Sequence, residues 1–515
     1  MKKMKRRRFL KTGVGVAGAL SIPGFWIPKS AHSASLGPKK LVMFFLSGGN
    51  DGQNTIVPYR TFDNSMVEVT DEADLVNNPA KTQYDYYRLL RPTVHLNKGL
   101  TGEQTPTVLP LGPITGDSNN MHRIAMPSST GFVPAGHCEF AMHPSMQGLV
   151  DIWDDGNLAI FPAAHCGPNA NRSHFFQTEY YGHGLNTEHT NQGGDGKGWV
   201  GRYFEGKYGL TPSPTRIEGF DFESSYFPLF DSNIPVLGSS NPGSIDLGDD
   251  GGNIRDKVLE INASRNASSN SPYGQYAEVQ QALFDKIAKL SGVTFTQPPN
   301  GSNPYYSSFF GYETSTARRF RQAAAMIKDS NVGLEIEVIN IDRGGFDTHG
   351  DQVDPNSGNS ADGSHSRTLR DVADSIKAFY DDLNSAGCGD DVITVVQTEF
   401  GRTADENNNF GTDHARASCW FALGGKVNGG LYGTWPGTAI DFSTGITDLD
   451  GGSRKYLFQS VDYRDILAEL IRDFMDKTGP GGTADPAASF NPNGFGNYTF
   501  PTGTNPAPLG FVDTT

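Results

Sequence analysis

The chain has 515 residues, 36% of them hydrophobic and 19% charged, with a formal net charge of −15 at pH 7. That length exceeds a usual domain, yet no proline-rich linker divides the chain and no fixed-period repeat runs through it, so one large domain with insertions is expected. An acidic balance without a basic patch argues against nucleic acid or anionic lipid as partners, and suits solubility or divalent cations.

The chain opens with KRRRFLK at residues 5–11, then an apolar, glycine-rich stretch over 12–28 and small residues over 31–35. A basic start, an apolar stretch too short and too proline-marked to span a bilayer, and a small-residue cleavage point predict a signal peptide over 1–34. Arg6 and Arg7 with Phe9, Leu10 and Lys11 match the twin-arginine (Tat) pattern. The Tat export machinery is therefore an expected partner, and the periplasm or beyond the expected destination, with no stable membrane span after cleavage. Cleavage removes eight positive charges and no negative one, taking −15 to −23.

Apolar runs at 41–46, 158–163, 334–341 and 392–398 read as buried parallel strands, with a fifth at 419–423. Two amphipathic helices precede the third strand, one carrying Val279, Leu283, Ile287 and Leu290, the other Phe320, Ala324 and Ile327. Leu369, Val372, Ile376, Phe379 and Leu383 mark a crossover helix between the third and fourth strands. A last helix gathers Ile466, Leu467, Leu470, Ile471 and Phe474. This alternation predicts an α/β fold: a central, mostly parallel, doubly wound sheet with helices on both faces, over residues 35–477. Residues 203–275, rich in Gly, Ser, Asn and Pro, read as a surface insertion or lid, and 478–515 as a loosely packed tail. Cys138, Cys166, Cys388 and Cys419 show no C-x-x-C spacing; an oxidising compartment permits one or two disulfides whose pairing sequence alone does not fix.

Ligands of open parallel sheets bind outside the carboxyl ends of the strands, so the residues that follow each strand come into question. After the first comes Ser47-Gly48-Gly49-Asn50-Asp51, and after the second His165 and then Asn171-Arg172-Ser173-His174. The third leads to Asp347-Thr348-His349, and the fourth to Glu399-Phe400-Gly401-Arg402 and then Thr412-Asp413-His414. Each piece alone is also a turn or a helix cap; jointly they bring metal-type ligands and a nucleophile to one edge. A carboxylate such as Glu399 behind an apolar strand needs a cation or a hydrogen-bond donor.

The segments LVMFFLSGGNDGQNT, PNANRSHF, GGFDTHGDQ, VVQTEFGRT with GTDHA, and GGKVNGGLYG resemble the signatures of the secreted family catalogued as domain-of-unknown-function family 1501. That family is similar to the alkaline phosphatase superfamily, which includes sulfatases. The resemblance implies an alkaline-phosphatase-like fold, Ser173 as nucleophile, and Asp51, Asp347, His349, Glu399, Asp413 and His414 as metal ligands. Arg172, His174 and Arg402 would contact substrate. Two departures stand out: Glu399-Phe400 replaces the usual adjacent Asp-His, and Asp347 and His349 are spaced more closely than usual. Cys166-Gly167-Pro168 begins a sulfatase-type C-x-P-x-R, but Ala170 occupies the arginine position.

The implied chemistry is phosphoryl or sulfuryl transfer to a hydroxyl, with divalent metal as cofactor; mixed carboxylate and imidazole ligands leave zinc, manganese, magnesium or calcium open. The expected substrate is a small anionic ester or a sulfated or phosphorylated polymer. A non-catalytic secreted scaffold with a degenerate metal site is the alternative.

Overall fold

The computed structural model describes residues 37–58, 122–125, 138–165, 172–185, 196–209, 216–222, 227–245, 253–265, 272–354, 363–433, 461–475 and 509–514, with 87, 90–94, 96, 356 and 457. The expected signal peptide, Cys166, residues 168–171 and most of the expected tail lie outside them. The strands in chain order are β1 (Lys40–Leu46), β2 (Ile56–Pro58), β3 (His122–Ala125), β4 (Cys138–Met142), β5 (Leu158–His165), β6 (Gly219–Asp221), β7 (Leu237–Gly238), β8 (Val338–Arg343), β9 (Val392–Gln397), β10 (Ser418–Gly424), β11 (Gly430–Leu431) and β12 (Val461–Asp462). The helices are α1 (Gln147–Asp154), α2 (His174–His183), α3 (Trp199–Tyr208), α4 (Asn253–Arg265), α5 (Pro272–Leu290), α6 (Ser315–Lys328), α7 (Ser364–Ser385) and α8 (Tyr463–Glu469).

The main sheet has the order β11-β5-β10-β9-β1-β8-β6-β7, with β12 also paired to β5. β1 is central and parallel to both neighbours, Leu41 opposite Val338 of β8 and Lys40 opposite Val392 of β9. Its alternate residues enter opposite layers. Val42, Phe44 and Leu46 pack with Leu149 of α1, Phe320 of α6 and Leu369, Val372 and Ile376 of α7. Leu41, Met43 and Phe45 pack with Tyr181 of α2, Trp199 and Phe204 of α3, and Ile466 and Leu467 of α8. Each large apolar side chain so buried contributes about 1.5–3 kcal/mol; Phe44 and Phe320 also meet edge to face at 4.9 Å. The result is the expected α/β fold with a mostly parallel sheet. A separate antiparallel sheet, β2-β4-β3, sits beside the β1 loop.

Three features differ from expectation. β10 is antiparallel to both β9 and β5. The 203–275 segment contains β6 and β7, which extend the main sheet parallel to β8, so this part is sheet edge rather than surface insertion. The end of the expected loose tail is packed: Phe511 is fully buried, and the backbone N–H groups of Gly510 and Val512 donate to Glu469 at 3.0 Å. Cys388 and Cys419 are free and buried. Among the described residues no helix is long and apolar enough to cross a membrane.

Candidate metal centre

β1, β8 and β9 run parallel, so the loops after them leave the same edge; β10 runs antiparallel, so residues 412–417 reach that edge before the strand begins. The glycine-rich turn after β1 lets these loops touch. Gly48 has φ +121°, and a Cβ there would stand 2.3 Å from the Asp347 backbone nitrogen. The Arg402 guanidinium, fully buried, fastens the loops together. It donates from Nε to the Gly49 carbonyl at 2.8 Å, from Nη1 to Thr412 at 3.1 Å, and from Nη2 to Phe346 at 2.9 Å and to Gly48. Nη2 also reaches Asp347 Oδ1 at 2.6 Å. Arg402, expected to meet substrate, is thus committed to holding the loops.

Around Asp347 Oδ1 stand the Nε2 atoms of His414 at 3.0 Å, His349 at 3.1 Å and His174 at 3.6 Å. In each ring Nδ1 faces an acceptor: His174 the Glu399 carboxylate at 2.8 Å, His349 the Asp413 carboxylate at 2.9 Å, and His414 the Arg172 carbonyl at 2.9 Å. Carboxylates and carbonyls only accept, so each Nδ1 carries the proton and each Nε2 of the neutral ring a lone pair. Nε2 of His349 and His414 are nevertheless 2.8 Å apart, and Nε2 of His174 is buried without a hydrogen-bond partner. Two ring nitrogens at that distance, beside a third without a partner, make a place that a shared proton or a metal ion would fit. Ligand atoms about 2.1 Å from a tetrahedral ion stand roughly 3.4 Å apart, within the 2.8 to 3.6 Å range of these spacings. The His174, Asp347 and His414 donor atoms all lie within 4.8 Å of one another and could hold a metal ion.

Several expected roles therefore move. Glu399 and Asp413, read as ligands, meet Nδ1 of His174 and of His349 and orient those rings. His174, read as a substrate contact, enters the cluster instead. Asp51 lies apart from it: both oxygens accept from the buried Arg91, at 2.7 and 3.0 Å, and Oδ2 also from Gln352. Burial alone would raise the Asp51 pKa, but the Arg91 charge together with the hydrogen bonds from Arg91 and Gln352 lowers it and keeps the carboxylate ionised. Ser173 sits at the N-cap of α2 in extended conformation, yet its side chain makes no capping hydrogen bond. Arg172 is exposed.

Burial would raise Asp347, but its neighbours, the Arg402 hydrogen bond first among them, hold its pKa at about 2. The Glu399 hydrogen bond raises His174, whereas burial lowers His414. Behind the β1 turn, His365 donates from Nε2 to Asn50 Oδ1 at 3.1 Å, and burial lowers its pKa from 6.5 to about 4. The unfolded chain takes up that proton near pH 6.5 and the folded chain resists it. His365 thus contributes no loss of stability above pH 6.5, and a loss growing to about 3 kcal/mol as the pH falls to 4. Unfolding free energies measured from pH 7.5 to 4 should decline less steeply in His365→Gln than in wild type; identical slopes would contradict this.

Sequence reasoning overlooked Arg91, Gln352 and the loop before Asp413. In that loop Phe410 has φ +57°, a left-handed conformation costing a non-glycine residue about 1–2 kcal/mol. Asn407 steadies the loop, donating to the His349 carbonyl at 2.9 Å and to Asp413 Oδ1 at 3.1 Å. No curated protein matches the chain. Residues 296–449 match the family model described as "Protein of unknown function (DUF1501)". That segment holds Asp347, His349, Glu399, Arg402, Asp413 and His414, so the likeness to the DUF1501 model covers these residues.

Proposed function

We propose that this chain is an exported, metal-dependent hydrolase acting on phosphate or sulfate esters, in the manner of the alkaline phosphatase superfamily. The observation that carries the reading is the convergence of three tautomer-fixed histidines on Asp347 beside Ser173. His174, His349, His414 and Asp347 would hold the ion. Three imidazoles favour a transition metal such as zinc or manganese over magnesium or calcium, which prefer all-oxygen ligands. When bound, such an ion supplies positive charge to an ester's oxyanion and lowers the pKa of a nearby hydroxyl.

The chain's own groups supply the rest. Glu399, Asp413 and the Arg172 carbonyl keep the Nδ1 protons in place, so Nε2 stays available as a donor atom. Arg402 fixes Asp347. At the start of α2 the first backbone N–H groups have no partner within the helix, and with the helix dipole they favour an oxyanion there. Ser173 stands at that helix start, the place for a hydroxyl nucleophile. The Tat-type leader fits a site assembled before export.

Glu399→Gln should lower metal affinity 10–100-fold, because the carboxamide holds the His174 ring less firmly; titration with a competing chelator measures it, and unchanged affinity would remove Glu399 from this role. The reading itself is tested with 4-nitrophenyl phosphate and 4-nitrophenyl sulfate. Turnover by the metal-loaded protein that a chelator abolishes is expected. No turnover of either ester by protein that retains its metal would favour the non-catalytic scaffold.

A further inference from the structure

Three phenylalanines stand in solvent on the segments that carry the histidine cluster. Phe175 and Phe176 directly follow His174 in the first turn of α2, 61% and 44% exposed, their rings edge to face at 5.6 Å. Phe410 is 38% exposed and lies three residues before Asp413. Its φ of +57° suits glycine or asparagine better than an aromatic residue, so the turn alone does not account for a phenylalanine there. The loop is also pressed to the cluster: a Cβ on Gly411 would stand 2.5 Å from the His349 backbone carbon, and Asn407 bridges to Asp413.

Single exposed apolar residues are ordinary, but here three fall on the two short segments that carry His174 and the Asp413–His414 pair. The charged groups of the centre face one another: Asp347 with Arg402, Glu399 with His174, Asp413 with His349. What the rim adds is aromatic area. We propose that the centre takes esters whose organic group is aromatic or otherwise apolar, with Phe175, Phe176 and Phe410 receiving that group while the oxyanion end is turned toward the histidines. This rests on the metal-dependent hydrolase reading above and names its substrate class.

The test measures binding, independent of turnover. Calorimetric titration of the metal-loaded protein compares phenylphosphonate with methylphosphonate, and benzenesulfonate with methanesulfonate, each pair matched in charge. Wild type should bind the phenyl member of at least one pair about tenfold more tightly. In Phe175→Ser/Phe410→Gly that ratio should fall to within twofold, with affinity for the methyl member unchanged. Equal binding of both members by wild type would overturn the apolar-substrate inference and leave the hydrolase reading standing. A ratio unaltered in the variant would overturn the assignment to this rim. Failure to bind any of the four would count against the hydrolase reading itself. Wild-type co-sedimentation with phosphatidylcholine vesicles, lost in the variant and without phenyl preference, would instead assign the rim to a lipid surface and overturn the proposal.

Discussion

Arg91→Met should destabilise the fold by about 3–5 kcal/mol, because it leaves the Asp51 carboxylate buried and uncompensated. Arg91 also donates to the Thr403 and Ala404 carbonyls, at 2.7 and 2.9 Å, and to Asn54 Oδ1 at 2.9 Å, so the loss reaches the loop after Arg402. Asp51→Leu combined with Arg91→Met should recover much of that loss, since a well-packed apolar pair avoids the cost of burying two charges. Urea unfolding of Arg91→Met, Asp51→Leu and the double variant measures both effects. Metal content should stay within twofold of wild type in all of them. If Asp51 ligated the ion, as the family resemblance implies, its replacement would remove metal at little cost to the metal-free fold.

Ser173→Ala should reduce turnover of an aryl phosphate or sulfate by about 10³-fold or more, the scale on which nucleophile deletions act. Its cost in stability should stay below the ~1 kcal/mol typical of losing a helix cap, because the Ser173 side chain makes no capping bond. Retained turnover would make Ser173 an ordinary helix-start residue and move the nucleophile to a metal-bound water or to one of the threonines Thr348, Thr398 and Thr412. The structure already weighs against these: Thr348 and Thr412 donate to Gln352 Oε1 at 3.0 and 2.7 Å, and Thr398 donates to the Leu46 carbonyl at 2.8 Å.

Sequence periodicity revealed β1, β5, β9 and α7 because both-face burial writes unbroken apolar runs into strands and an i, i+3, i+4 stripe into the helix. The run at 334–341 was displaced: Leu334 is exposed and β8 begins at Val338. The direction of β10 was not legible, since a buried apolar run reads the same in either direction. β6 and β7, three and two residues long, are shorter than any window in which alternation can be recognised. Within the site, motifs after successive strands did identify the loops that meet. They did not separate ligands from the groups behind them, because Glu399 or His174 could equally have faced an ion. Only the position of each Nδ1 decides that. Arg91 carried no signal, as its partner Asp51 lies 40 residues away and no motif encloses it.

The claim that His174, His349, His414 and Asp347 form a metal centre is tested most directly by elemental analysis of the purified protein, paired with thermal unfolding before and after chelation. Stoichiometric zinc or manganese is expected, absent from His414→Ala. Ion at about 1,000 times its dissociation constant should stabilise the chelated wild type by about 4 kcal/mol and leave His414→Ala unmoved. A protein that carries no metal, and gains no stability when zinc or manganese is added, would contradict the account.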